Sequence, residues 1–138
     1  TYTAANGDEY IGDWLDGVKD GEGILTYANG DRYVGEFSEN LLDGDGSMTF
    51  KASGNKHVGR YKDDLFHGQG TYTYTNGNKY TGEFKNDFFH GKGTFSFANG
   101  DEYIGIFKDD LFNGLGTLTY EDGRLERGRW LDGQLIGN

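Results

Sequence analysis

The run Gly23-Ile24-Leu25-Thr26-Tyr27-Ala28-Asn29-Gly30-Asp31-Arg32-Tyr33-Val34-Gly35-Glu36-Phe37 sets two β-rich stretches on either side of Asn29-Gly30. Asn-Gly is the favoured pair for a two-residue type I′ turn, because both central residues need positive φ. The run therefore predicts a β-hairpin. Equivalent pairs stand at Asn6-Gly7, Asn76-Gly77, Asn99-Gly100 and Asp122-Gly123, so the hairpin recurs. One turn is longer, Ala52-Ser53-Gly54-Asn55, and is expected to be a three-residue loop with Gly54 in the left-handed position.

The second strand of the run carries a pattern that also recurs: a ring or polar residue, then Gly, then a ring, at alternate positions. Its copies are Tyr10-Gly12-Trp14, Tyr33-Gly35-Phe37, His57-Gly59-Tyr61, Tyr80-Gly82-Phe84, Tyr103-Gly105-Phe107 and Glu126-Gly128-Trp130, at intervals of 23, 24, 23, 23 and 23 residues. A Gly-x-Gly pair runs in phase with it, from Gly21-Gly23 to Gly114-Gly116. A fixed period of this length marks a stacked-repeat protein, in which each unit buries its apolar surface against its neighbours. The expectation is about six 23-residue hairpins in one elongated, single-layer antiparallel β-meander of about twelve strands.

Side chains alternate across a strand, so Tyr33, Gly35 and Phe37 share a face. With a two-residue turn, Thr26 and Ile24 would lie beside them, and Leu25, Tyr27 and Val34 would point the other way. A Gly inside a strand marks a close approach, here by the flanking rings. Between hairpins, a connector reads Gly17, Asn40, Asp64, Asp87, Asp110 and Gly133 at its third position, residue types that tolerate left-handed backbone. From the second connector on an apolar pair follows, Leu41-Leu42, Leu65-Phe66, Phe88-Phe89, Leu111-Phe112 and finally Leu135-Ile136. At least one member of each pair is expected to fold back over the Tyr-Gly-Phe face. The other face, bearing Tyr27, Phe50, Tyr72, Tyr74, Phe95, Phe97 and Tyr120, is then the candidate partner-binding groove.

Composition narrows the function. Apolar residues make up 34% of 138, aromatic residues 16%, and there are 25 glycines and no cysteine. Bulk therefore comes from rings on a thin sheet, and thiolate metal sites and disulfides are excluded. No stretch has the apolar length of a membrane-spanning helix, and no signal-peptide pattern opens the sequence. A cytoplasmic location is expected, with any membrane association made through a partner. The start partway into a repeat, without Met, leads us to expect a longer chain. A net charge of −10 repels phosphate backbones, which argues against nucleic acid.

These residues resemble the MORN (membrane occupation and recognition nexus) repeat. The clearest match is Tyr80-Thr81-Gly82-Glu83-Phe84 followed by His90-Gly91-Lys92-Gly93-Thr94-Phe95. The resemblance spans nearly the whole chain as a single array, residues 1–138. It implies a twisted single-layer sheet with a lengthwise groove used for protein contact, for scaffolding, or as an accessory region of a larger enzyme. His57 and Glu126 depart from it by standing where Tyr is usual, and the connector pairs are more apolar than the family's.

His67 and His90 share a repeat position with Asp20, Asp43 and Asn113, which reads as a polar turn slot and not as ligation. The Asp-Asp connectors lack the ligand spacing of a calcium loop. The Gly-x-Gly pairs lack the third Gly and the helix of a dinucleotide fingerprint. No catalytic site, cofactor or metal is expected. Lys62, Lys85 and Lys108 would align along one edge as a lipid-facing row, but carboxylates beside them largely cancel about 1 kcal/mol per cation. Recognition of sugars or quaternary ammonium groups would rest on ring abundance alone. The sequence is read as a noncatalytic protein-interaction or scaffolding module that favours a basic partner, with self-association through the connectors or end repeats as a further contact.

Overall fold

The computed structural model describes residues 1–137. Thirteen strands form one antiparallel sheet in chain order: β1 (Tyr2–Thr3), β2 (Glu9–Leu15), β3 (Val18–Thr26), β4 (Arg32–Ser38), β5 (Leu41–Thr49), β6 (Lys56–Lys62), β7 (Leu65–Thr73), β8 (Lys79–Lys85), β9 (Phe88–Ser96), β10 (Glu102–Lys108), β11 (Leu111–Thr119), β12 (Leu125–Leu131) and β13 (Gln134–Gly137). There is no helix among the described residues. Twelve inter-strand steps at about 4.8 Å give a sheet on the order of 58 Å wide.

The two kinds of turn are exchanged relative to the sequence reading. At Asn29-Gly30, Gly30 has φ +95°, as required, but Asn29 keeps negative φ. Gly30 N–H donates to the Tyr27 carbonyl at 2.8 Å, and Tyr27 N–H donates to the Asp31 carbonyl at 2.8 Å. This is a three-residue loop, Ala28-Asn29-Gly30, made of a type I turn and a left-handed Gly. The two-residue type I′ turns lie in the supposed connectors, where both Asp63 and Asp64 (φ 48° and 71°) and both Asp109 and Asp110 (49° and 71°) are left-handed. Asp and Asn accept that backbone at low cost. The longer turn is a four-residue loop, Lys51 to Gly54, closed by Gly54 N–H on the Phe50 carbonyl at 2.7 Å, with Gly54 at φ +76°.

One extra loop residue shifts the register by one and so turns every side chain of the first strand over. Leu25, not Ile24 or Thr26, pairs with Tyr33, and the same pairing joins Tyr72 to Tyr80 and Phe95 to Tyr103. The rings therefore share one face. The expectation of two ring-bearing faces, with Leu25 and Tyr27 opposite Tyr33, is corrected by this register. The opposite face carries a central row of Ile11, Val34, Val58, Thr81 and Ile104, all exposed.

Gly77 holds the left-handed position of its loop at φ +100°, and an added Cβ would lie 3.0 Å from that of Ala98. Gly77→Val is expected to cost at least about 1 kcal/mol through backbone strain at a β-branched residue. The check is the urea midpoint at unchanged slope.

Candidate functional site

The ring-bearing face is built in parallel rows, one residue per repeat. Innermost is the Tyr row, Tyr10, Tyr33, Tyr80 and Tyr103, each 1% exposed or less. Each ring lies over a Gly-Gly pair of neighbouring strands, and its hydroxyl donates to the carbonyl three residues on, for example Tyr80 to Glu83 at 2.7 Å and Tyr33 to Glu36 at 2.8 Å. Phe37, Phe84 and Phe107 stand beside them edge-on, with centroids about 5 Å away.

The apolar pairs begin the long strands instead of lying in connectors. Opposite Gly82-Glu83-Phe84, the single residue Glu83 faces three, His90-Gly91-Lys92, between the pairs Gly82↔Gly93 and Phe84↔Phe89. This bulge bends the start of β9 over the sheet, and the Glu83 carboxylate holds the bend by accepting Lys92 N–H at 2.9 Å. Phe89 then stacks flat on Tyr80, with centroids 3.9 Å apart and planes at 9°. Phe66 on His57 and Phe112 on Tyr103 repeat the stack at 3.9 and 3.8 Å. The second member of each pair covers the Tyr row, as expected from the sequence.

The folded rim is tied down by its type I′ turns. Asp64, Asp87 and Asp110 each accept the N–H of the residue beneath, Leu42, Phe66 and Phe89, at 2.7–2.8 Å, and return their own N–H to the same residue's carbonyl. Asn40 does the same for Lys19 through its amide oxygen at 2.8 Å. Left-handed tolerance was legible at these positions, but the bond joining one repeat to the last was not. On the other edge, Asp8, Asp31, Asn55, Asn78 and Asp101 make a second seam to the loop of the following repeat.

His57 replaces Tyr in the third repeat and is fully buried, and the Phe slot beside it is filled by Tyr61. The two substitutions fit each other. Tyr61 Oη lies 2.8 Å from His57 Nδ1, while His57 Nε2 has no partner. Burial pushes the imidazole pKa down from 6.5 to about 4. The Tyr61 phenol is the titratable group that meets it from its own strand, and the rings that cover it from β7 and β8, Phe66 and Phe84, carry no charge. Its folded pKa lies below the unfolded one, so the stabilisation is complete above pH 6.5 and is lost as pH falls towards 4. The loss is on the order of 3 kcal/mol. Measured against His57→Tyr/Tyr61→Phe, which restores the regular pattern, wild type should take up about one more proton on unfolding at pH 5.

Between the folded rim and the hairpin loops the register sets two further rows on this face, a floor row of Leu25, Met48, Tyr72, Phe95 and Leu118 and an outer-wall row of Tyr27, Phe50, Tyr74, Phe97 and Tyr120. The seven rings singled out from the sequence are all half-buried, and all lie on this floor and wall. Five of them form a chain of contacts, Phe50–Tyr72 at 6.3 Å, Tyr72–Tyr74 at 4.8 Å, Tyr74–Phe95 at 6.1 Å and Phe95–Phe97 at 4.7 Å, and Phe97 reaches the rim at Phe112, 6.4 Å away. A depression of about 230 Å³ opens here, lined by Phe95, Phe97, Phe107, Asp110, Leu111, Phe112 and Gly133. Burial first, then Asp64, Asp8 and Asp31, push the Tyr27 phenol up to about 12, and burial, Tyr72 and Asp110 do the same to Tyr74. The walls are thus neutral rings beside carboxylates. At the C-terminal end, Tyr120 bonds Glu126 and Trp130 Nε1 donates to the Gly116 carbonyl at 3.1 Å, so Glu126 in the Tyr slot is accommodated.

Among the described residues no three His, Asp or Glu side chains gather as a metal site. No curated protein matches the chain by sequence. Among solved structures, the chain is similar to the TCP domain of SAS-4 (dCPAP) of Drosophila melanogaster, solved in complex with a proline-rich motif of Ana2 (dSTIL). The likeness has a TM-score of 0.43 and 14% identity, over 94% of this chain and 83% of that one. The family model of the MORN repeat matches residues 10–32, 33–54, 57–79, 80–102 and 103–123. With its ladder of Tyr-over-glycine units and its folded rim, the chain belongs to the MORN repeat family.

Proposed function

We propose that this array is a noncatalytic protein-docking module whose groove takes a segment of a partner along its length. The observation that carries the reading is the uncovered ring wall. In a one-layer sheet the rim shields the Tyr row, but Tyr74, Phe97 and their equivalents stay half-exposed, one per repeat. Half-exposed rings of this kind are the residues on which binding energy concentrates at interfaces. The net charge of −10 favours a basic partner and opposes anionic lipid.

The test compares two variants. Tyr74→Ala/Phe97→Ala removes outer-wall rings and should abolish capture of a specific protein from native extract, while the melting curve shows the fold retained. Lys62→Glu/Lys85→Glu should leave capture unchanged. Strong, salt-sensitive sedimentation with anionic vesicles, lost in the lysine variant, would replace this reading with that of a peripheral membrane module.

A further inference from the structure

Asp64, Asp87 and Asp110 recur one per repeat on the rim wall of the groove, and all three are exposed. One oxygen of each is committed to the N–H of the repeat beneath. Among the described residues the one ion pair is Asp122 with Arg124 at 2.7 Å, so these three carboxylates have no cation within the chain. Asp110 stands beside Phe95 and Phe97 in the apolar depression, and Asp64 lies close enough to Tyr27 to raise its phenol pKa. What recurs along this face is therefore one half-buried outer-wall ring and one rim carboxylate without an ion-pair partner.

The spacing of that unit selects a backbone conformation. Successive units are two strands apart, about 9.6 Å. A polyproline II chain rises about 3.1 Å per residue and presents the same side every three residues, at about 9.3 Å. An α-helix returns to the same side after seven residues, at about 10.5 Å, and drifts by about 1 Å per repeat. A β-strand repeats every two residues, at about 6.7 Å, and needs a sheet edge to satisfy its backbone. The groove offers no such edge, because its floor is side chains on strands paired on both sides. A polyproline II backbone is solvated throughout and docks against aromatic-lined grooves with little ordering entropy.

Resting on the docking role above, we infer that the groove is built for a proline-rich, basic segment in the polyproline II conformation, with Lys or Arg at every third position meeting Asp64, Asp87 and Asp110 in register.

The test uses synthetic peptides on the whole chain, read by calorimetry. A proline-rich peptide with Lys at every third position should bind at least about tenfold more tightly than one of identical composition with its lysines adjacent, and its affinity should fall as salt rises. Asp64→Asn/Asp87→Asn/Asp110→Asn should remove that preference without unfolding, since Asn40 shows that an amide oxygen makes the same rim bond. Equal affinity for the two peptides, or no binding of either, overturns the inference, and so does an unchanged preference in the triple variant. The comparison of peptides on the unaltered protein decides the matter even if that variant folds poorly. A partner still captured through Tyr74 and Phe97 while the peptides fail would leave the docking role standing and remove only the assigned ligand.

Discussion

Gly82→Ala is expected to destabilise the protein by about 3–5 kcal/mol, which is large for the addition of one methyl group. An alanine Cβ there would lie 2.5 Å from the Cα of Gly93 and 2.6 Å from the Lys92 carbonyl. Both obstacles are backbone, so no rotamer change relieves them. The strands would have to separate at the Gly82↔Gly93 pair, where the Tyr80 ring closes over the glycines and its hydroxyl donates to Glu83. Thr81→Ala, one residue away and exposed on the opposite face, should stay within about 0.5 kcal/mol of wild type. Urea titrations of the two variants check this, and similar midpoints would show that glycine is not required by contact.

Phe84→Ala is the second large effect, at about 3–5 kcal/mol. Phe84 is 3% exposed and touches His57, Tyr80, Phe66 and Phe89 at centroid distances of 4.8, 5.1, 5.7 and 5.5 Å. It joins residues of four consecutive strands, β6 to β9, in two repeats, so its loss leaves a cavity that no single repeat can close. Tyr74→Ala removes a half-buried ring from the outer wall and should cost far less, about 1 kcal/mol. If Tyr74→Ala proved the costlier change, the groove would have been assigned to residues that are core.

The sequence made the repeat, the ring slots and the left-handed glycines legible, because each is a local requirement on residue type. The register was not legible. Asn29-Gly30 satisfies a two-residue loop on paper, and one residue more, Ala28, decides which face Leu25 takes. A sharper signal was present in Asp16-Gly17 and Asp132-Gly133, which stand in the connectors and are themselves type I′ pairs. Reading the tight turn there would have made the apolar pairs the start of strands. The seven candidate rings were chosen for a face separate from the Tyr row, and the shifted register brings both sets to one side. They stay half-exposed because the rim, bent by the bulge at His90-Gly91-Lys92, covers the Tyr row and touches the outer wall only at its edge, as Phe112 does Phe97. The ties from Asp64, Asp87 and Asp110 to the repeat beneath were out of reach, since they depend on that bend.

The docking claim is tested most directly by a footprint. The chain has no cysteine, so single cysteines can be placed without background at positions 74 and 97 on the outer wall and at 58 and 81 on the opposite face. Alkylation rates would be measured with and without a saturating amount of the protein that wild type captures and Tyr74→Ala/Phe97→Ala does not. The account predicts strong protection at 74 or 97 and unchanged rates at 58 and 81. Protection at 58 and 81 with free reaction at 74 and 97 would contradict it.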